Sequence, residues 1–414
     1  MTTPAPFPTD ADAVVIGAGA LGLATTYALA KAGVRNVVLL DRLEPATQAS
    51  ARAAGLFKLL QASEVKTRVA ALSMRIVRGF AAETGVPLPF VDSGSIYAAR
   101  TPRHAAMVEA EVEDARGWGT ELVRIDNAEA HRLAPYLAGK RLLSAYHVPG
   151  DIYVEEPRSM LLAFWQAAER LGATVIGHAP VTGVRVENGA VAGVSTPHGE
   201  IRTPLVVDSA GVWSRLVGRM AGVDVPVQPV RHHLRITSPM AGIQAKQPVV
   251  RLIDAATYLR PARGGVMYGG FEQDPLPLDP SELGDGFSMD ALPLDHAVTD
   301  RFRDAVLDEF PDLVVTTVQE QRGGMFTMTA DGMFLVGPSA AARGFWVASG
   351  CNGSGFSLSA GIGSVLAEWI VGGAPPFDVS ALDPDRFAAS GMTDAQLRDA
   401  GVWQYVNYYT PAGA

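Results

Sequence analysis

The sequence predicts an α/β protein of two interleaved domains, and three observations predict it. Residues 12–41 run from an apolar strand through Gly17-Ala18-Gly19-Ala20-Leu21-Gly22 into an Ala-rich helix, then into a second strand, Val37-Val38-Leu39-Leu40, that ends in Asp41. Three spaced glycines between strand and helix, with an acid at the end of the next strand, form the pattern of a dinucleotide-binding unit. The chain has 414 residues, more than one simple core holds. Residues 227–271 carry a succession of β-rich runs quite unlike the opening unit.

Each residue of the opening unit has a physical task. Gly17 allows the tight turn off the strand, Gly19 lets backbone N–H groups approach a pyrophosphate, and Gly22 lets the helix pack closely on the sheet. The positive end of the helix dipole then faces the phosphates. Asp41 is placed to accept hydrogen bonds from the ribose hydroxyls, and its charge repels a 2′-phosphate, which favours FAD or NAD over NADP.

Composition narrows the classes further. Hydrophobic residues make up 48% of the chain and there are 43 glycines, as expected of a globular α/β protein rich in turns. The formal charge is −9 with no basic block, which argues against nucleic acid and for small-molecule partners. Cys351 is the only cysteine, so an intrachain disulfide and a thiolate metal cluster are both excluded and no metal is expected. The stretch Met1-Thr2-Thr3-Pro4-Ala5-Pro6-Phe7-Pro8 lacks the basic start and apolar run of a signal peptide. The most apolar late segment, 355–372, holds Glu368 and several glycines and reads as too short to span a bilayer. A cytoplasmic location is the expectation.

Further elements follow in order. Residues 64–84 place Val65, Val69, Leu72, Ile76 and Phe80 at helical spacing and stop at Gly85. A strand is expected at 90–98, a helix at 102–117 opened by Pro102, and another at 157–171 closed by Gly172. Alternating strands at 181–186 and 191–195 flank Glu187-Asn188-Gly189-Ala190, a hairpin signal, and 205–208 reads as a buried strand. Strands are expected at 227–237, 249–253, 257–260 and 265–270. The Pro- and acid-rich 275–293 reads as a long loop over one face, and helical spacing returns at 296–310. Short strands at 334–337 and 345–348 precede a last long helix. The aromatic tail Trp403-Gln404-Tyr405-Val406-Asn407-Tyr408-Tyr409 is expected to pack on the body or on another subunit rather than bind ligand.

A second Gly-rich loop, Gly350-Cys351-Asn352-Gly353-Ser354-Gly355-Phe356, again leaves a strand and opens a helix. One glycine turn serves NAD. Two at opposite ends of the chain suggest a cofactor spanning more of the fold, with the late helix dipole facing the pyrimidine side of a flavin.

On these residues the chain resembles the D-amino acid oxidase and sarcosine oxidase superfamily of FAD-dependent amine oxidoreductases, over nearly everything up to about Gly373. The resemblance rests on Gly17, Gly19 and Gly22 with Asp41; on Ser50-Ala51-Arg52-Ala53-Ala54-Gly55; on Val206-Val207-Asp208-Ser209-Ala210-Gly211-Val212-Trp213-Ser214; on Thr329-Ala330-Asp331-Gly332; and on Gly350 to Phe356. It implies a discontinuous Rossmann-like FAD-binding domain (10–95, 150–225 and 325–373), an α+β substrate domain with mixed and antiparallel sheet (96–149 and 226–324), and a C-terminal tail (374–414). It implies FAD contacts from Gly17, Gly19, Ala20, Leu21 and Gly22; from Asp41 and Arg42; and from Ser50, Arg52, Ala54, Gly55 and Leu56. Val181, Ala210, Gly211 and Trp213 join them, with Gly350, Asn352, Gly353, Ser354, Gly355 and Phe356 from the late loop.

Within the superfamily the chain is most similar to the dimethylglycine and sarcosine dehydrogenase or oxidase branch, through Arg231-His232-His233-Leu234-Arg235-Ile236-Thr237 and Tyr258-Leu259-Arg260-Pro261. By position His232 would face the amine and Tyr258 would hold the carboxylate. Read from the residues alone, either histidine is equally a hydrogen-bonded strand residue. Where relatives attach FAD through Cys or His, this chain has Gly324 and Arg52, so noncovalent FAD is expected. Ser357 and Met267 replace two lysines of the monomeric sarcosine oxidases, which points away from sarcosine itself and from fast reaction with oxygen. Lys58 either supplies charge beside the flavin or is a solvated helix-end lysine.

The resemblance therefore implies oxidation of a small amino acid or N-alkyl amino acid at its C–N bond, with hydride passing to flavin N5 and the imine then hydrolysed. His232 would take the amine proton, with Arg260 or Arg322 as the ionic partner of the carboxylate. The electron acceptor is oxygen or an electron-transfer partner. Two other readings stand: a NAD-dependent dehydrogenase, and a flavin-carrying subunit of a hetero-oligomeric amine dehydrogenase.

Overall fold

A computed structural model describes residues 6–409. The first five residues of the N-terminal stretch and the last five of the tail lie outside the described residues. The chain opens with β1 (Ala13–Ile16), α1 (Ala20–Lys31), β2 (Val37–Leu40), β3 (Leu56–Phe57) and α2 (Glu64–Thr84). It continues through β4 (Val91–Asp92), β5 (Ser95–Ala99), α3 (Pro102–Gly117), β6 (Val123–Arg124), α4 (Asn127–Leu133), β7 (Ser144–Val148) and β8 (Ile152–Tyr153). Next come α5 (Pro157–Arg170), β9 (Thr174–Ile176), β10 (Gly183–Glu187), β11 (Ala190–Thr196), β12 (Gly199–Arg202), β13 (Val206–Asp208) and α6 (Ser214–Met220). The central part holds β14 (Gln228–Thr237), β15 (Val249–Leu252), β16 (Thr257–Ala262), β17 (Gly265–Gly270), α7 (His296–Asp304) and β18 (Val318–Met328). The last elements are β19 (Leu335–Pro338), β20 (Phe345–Ser349), α8 (Gly355–Gly372) and α9 (Asp394–Val406).

Two large sheets organise these elements. The first has the order β19-β20-β13-β1-β2-β9, all parallel except β19. Alternate residues of its strands enter opposite cores: Ala13, Val15, Val37 and Leu39 pack with α1, α2, α5 and α8, whereas Val14, Ile16, Val38 and Leu40 pack toward β10 to β12 and α6. The β10–β11 hairpin turns at Asn188 and Gly189 with φ of 51° and 73°, the left-handed pair that a two-residue hairpin turn demands. The second sheet, β18-β14-β17-β16-β15-β5-β7-β6, is antiparallel except at the β15–β5 pair. Two three-stranded sheets, β10-β11-β12 and β3-β8-β4, accompany them among the described residues.

Helix α8 packs against both α1 and α2. A Cβ on Gly363 would stand 2.7 Å from the Ala24 backbone, and one on Gly361 2.4 Å from the Val69 carbonyl, so glycine at both positions lets α1 and α2 close on it. Its 18 residues reach the minimum length of a membrane span, contrary to the reading from sequence, and its interior packing makes it a core helix.

Several boundaries differ from expectation. The strand expected at 90–98 splits at Ser93-Gly94, where Gly94 has φ of 66°, and its halves join different sheets. The helix expected at 296–310 ends at Asp304 and continues as turns. Strand β18 crosses the boundary expected at residue 325 and stays in the second sheet to Met328. Its polar Gln319-Glu320-Gln321-Arg322 half sits on the sheet edge, where solvent removes the apolar alternation that marks a strand. The tail forms α9, opened by a capping box between Thr393 and Gln396, and it packs on β14 and β18.

Candidate functional site

One cavity of about 800 Å³, near the upper end of the roughly 300–1,000 Å³ range of ligand sites, joins the carboxyl ends of β1, β2 and β13 to the face of the second sheet. At its first end Gly17, with φ of 102°, leaves β1 where a Cβ would stand 2.5 Å from the Ser209 carbonyl. Gly22 does not line the cavity: a Cβ there would meet the Gly17 carbonyl at 1.8 Å, so it permits the helix to seat on the turn. The Ala20 N–H is already taken by Ser50 Oγ at 3.0 Å. Asp41 accepts from Ala18 N–H at 2.7 Å and from Leu43 N–H at 2.8 Å, and burial raises its pKa. Each oxygen keeps a lone pair for a hydroxyl beyond those bonds.

The walls around this end carry polar atoms without protein partners. Trp213 Nε1, Arg42 Nε and Arg52 Nε are buried and unpaired, and all three residues line the cavity. The Arg42 guanidinium stacks 4.1 Å from the Trp213 ring. The long 275–293 loop is pinned over this end by Arg42 to the Phe287 carbonyl, by Arg52 to Asp290, and by Met289 N–H to Gln48 Oε1 at 2.9 Å. Bare glycine backbone, an acid at the second strand end and unpaired buried donors suit an elongated, phosphate-bearing dinucleotide.

The middle of the cavity is bounded by Ala54, Gly55 and Leu56 on one side and by Gly353, Ser354, Gly355 and Phe356 on the other, with Val181, Ala210 and Gly211 also on its walls. Two residues of the late loop do not line it. Asn352 Nδ2 donates to the Gly350 carbonyl at 2.7 Å while its Oδ1 accepts from Thr329 N–H at 2.9 Å, and a Cβ on Gly350 would crowd Thr329 Cγ2 at 2.7 Å. Both pack the loop against Thr329, just past the end of β18, and neither lines the cavity. The Cys351 sulfur accepts from Thr327 N–H at 3.3 Å.

At the second end, antiparallel register carries chemistry from three strands to one face. Tyr258 pairs with Gly269, which pairs with Leu234, so the Tyr258 ring crosses a bare glycine to reach the histidine two residues before Leu234. Tyr258 Oη lies 2.9 Å from His232 Nε2, and Tyr405 Oη of α9 lies 2.9 Å from His232 Nδ1. A neutral imidazole has one N–H and one acceptor, so one hydroxyl donates to the ring and the other accepts from it. Burial and the adjacent His233 push the His232 pKa down to about 3. The ring is therefore neutral at physiological pH, which weakens it as the resting place of the amine proton. His233 instead accepts Asp295 N–H through Nε2 at 3.0 Å and turns Nδ1 toward Glu272 at 3.5 Å.

The arginines divide. Arg260 is fully buried and does not line the cavity; it donates to the carbonyls of Ala54 (2.8 Å), Pro261 (2.7 Å) and Glu155 (3.0 Å). Its donors are spent on backbone, which removes it as a carboxylate clamp. Arg322 lines the cavity but is paired with both Glu320 and Glu156, with Nη1 unpaired. Lys58 lines the cavity with Nζ 4.9 Å from the centre of the Tyr408 ring, which sets aside its reading as a solvated helix-end charge.

Sequence reasoning missed Arg251 and the tail tyrosines. Tyr408 and Tyr409 line the cavity with Phe271 and Phe326, so the tail both packs on the body and walls the site. The Thr393-Asp394-Ala395-Gln396 capping box was the available signal for the helix that delivers them. Among the described residues no cluster of metal-ligating side chains occurs.

The sequence pattern of the family described as DAO, FAD dependent oxidoreductase, matches residues 12–369. The chain is 34% identical over 395 residues to mitochondrial sarcosine dehydrogenase of Homo sapiens, covering 94% of this chain and 42% of that protein. It is 31% identical over 401 residues to mitochondrial dimethylglycine dehydrogenase of Mus musculus, covering 94% and 46%. The chain thus spans less than half the length of these curated relatives. Among solved structures, L-proline dehydrogenase from P. horikoshii superposes with a TM-score of 0.84 at 23% identity, over 94% of this chain and 100% of that one, a likeness of fold.

Proposed function

The chain belongs to the DAO family of FAD-dependent oxidoreductases, and on that premise we propose that it oxidises the C–N bond of a small amino acid or N-alkyl amino acid. The observation that carries the reading is one continuous cavity with a dinucleotide cradle at one end and the His232-Tyr258 pair, backed by Tyr405, at the other. Bound FAD supplies the two-electron acceptor for the substrate C–H bond. The protein supplies orientation and a dry aromatic wall.

The substrate amine must lose its proton so that its lone pair can assist departure of the hydride. His232 is a poor resting place for that proton at a pKa of about 3. Between two hydroxyls the neutral ring donates at one nitrogen and accepts at the other, so the Tyr258-His232-Tyr405 chain stays uncharged and holds the Tyr258 hydroxyl in place, and the amine gives up its proton to bulk solvent before it is enclosed. Phe271, Phe326, Tyr408 and Tyr409 give this end of the cavity an aromatic lining that suits an N-alkyl group. The relatives named for sarcosine and dimethylglycine support an N-methyl substrate class.

The test is an anaerobic titration of the purified flavoprotein with N-methyl, cyclic and D-amino acids, read as loss of the flavin absorbance. Bleaching by one group names the substrate class, and readmitted air then separates oxidase from dehydrogenase. A flavin that no amine bleaches moves the reading to a partner-dependent subunit, and a colourless protein overturns it.

A further inference from the structure

We propose that Arg251 is the cation that takes the substrate's carboxylate. The inference rests on the amino acid reading above and deepens it.

Strand register is the first argument. Arg251 on β15 is the Cα partner of Tyr258 on β16, which pairs with Gly269 on β17 and through it with Leu234 on β14. Paired residues of neighbouring strands present side chains on the same face, so Arg251 stands beside Tyr258 on the face that reaches His232. Both residues line the cavity.

The second argument is how little the protein itself asks of this guanidinium. Arg251 is 4% exposed, yet among the described residues its side chain makes a single hydrogen bond, 3.4 Å from Nη1 to Asp151 Oδ2. Asp151 is in turn shared, since it also accepts from Ser95 Oγ at 2.6 Å and from Leu59 N–H at 2.8 Å. A buried guanidinium with one long bond is costly unless an anion completes its donor set. Arg322 is offset by two carboxylates and Arg260 by three carbonyls, whereas among the described residues Arg251 meets only the shared Asp151 carboxylate, at 3.4 Å. A planar fork beside a tyrosine hydroxyl fits a carboxylate, and the neighbouring His232 then marks the amine side. Lys58, held over the Tyr408 ring, is a rival cation on the same cavity.

The experiment uses the flavin-loaded protein and two probes of nearly equal shape, acetate and acetamide, with binding read by calorimetry and by the shift of the flavin absorbance. The wild type is expected to bind acetate more tightly than acetamide. Arg251→Met should weaken acetate roughly 10- to 100-fold, leave acetamide unchanged and keep the flavin, because a charge-assisted pair is lost. Arg251→Lys, the milder change for folding, should restore only part of the preference, since an ammonium lacks the fork. The proposal is overturned if the wild type has no preference for acetate, if Arg251→Met binds it normally, or if Lys58→Met abolishes the preference while Arg251→Met does not. If no amine bleaches the flavin but acetate still depends on Arg251, the carboxylate site stands and the oxidation reading falls. If amines bleach the flavin and acetate ignores Arg251, this inference falls alone.

Discussion

Gly269→Ala is a small change far from the dinucleotide cradle that should disable the reacting end of the cavity. A Cβ at this position would lie 2.4 Å from Tyr258 Oη, 2.7 Å from Cζ and 2.9 Å from the His233 carbonyl. Ordinary contact needs about 1 Å more than the shortest of these, and the backbone carbonyl cannot yield, so the Tyr258 ring must move by about that amount. The 2.9 Å bond to His232 Nε2 then stretches beyond hydrogen-bonding range. Overpacking of this kind costs about 1–3 kcal/mol of stability. A displacement of about 1 Å at a positioning group lowers the rate of the chemical step roughly 100-fold. The assay is stopped-flow reduction of the flavin under anaerobic conditions, alongside flavin content per chain and a urea unfolding curve. Full flavin content with slow reduction is the expected result. Reduction at the wild-type rate in a folded variant would refute the argument that the bare glycine exists to let Tyr258 reach His232.

Other expectations follow from the same coordinates. Gly363→Ala places a Cβ 2.7 Å from the Ala24 backbone, where neither helix can give, so the midpoint of urea unfolding should fall by about 1–3 kcal/mol equivalent and flavin should dissociate more readily. Denaturation in acid should release all the flavin and leave colourless protein, since Gly324 and Arg52 offer no attachment atom and the Cys351 sulfur is engaged with Thr327; flavin retained on the precipitate would refute this. His232 and Asp208 make opposing contributions to pH dependence. Burial lowers His232 from 6.5 to about 3, so the unfolded chain binds the extra proton between those values and stability from this group falls as pH drops through that window. Burial raises Asp208 from 3.8 to about 7, so the folded chain binds the extra proton there and stability from this group falls as pH rises toward 7. Asp208→Asn removes the second contribution, and stability measured by urea between pH 4 and 6 should then gain up to about 1.4 kcal/mol per pH unit of added upward slope. An unchanged slope would show that Asp208 does not titrate as its burial requires.

The opening unit was legible because its signals are local. Gly17, Gly19, Gly22 and Asp41 lie within 25 consecutive residues, and the turn, close approach and strand-end charge they supply are local properties that a sequence displays directly. The long helices and the Asn188-Gly189 hairpin were equally readable, since spacing and turn chemistry are short-range. Edge strand β18 was not, because solvent on one side permits Gln, Glu and Arg where alternation would otherwise be apolar.

Sequence by itself determined the presence of the cradle, the type of the main elements and the residues able to carry charge or protons. Tertiary structure decided which of those residues meet. Arg260 and Arg251 are both arginines on strands of the second sheet, yet one is consumed by three carbonyls and the other lines the cavity and, among the described residues, meets only the shared Asp151 carboxylate. His232 acquires its two tyrosines from positions 26 and 173 residues away. Its lowered pKa belongs to the burial those elements create, because desolvation depends on what packs around a group and local sequence does not record it.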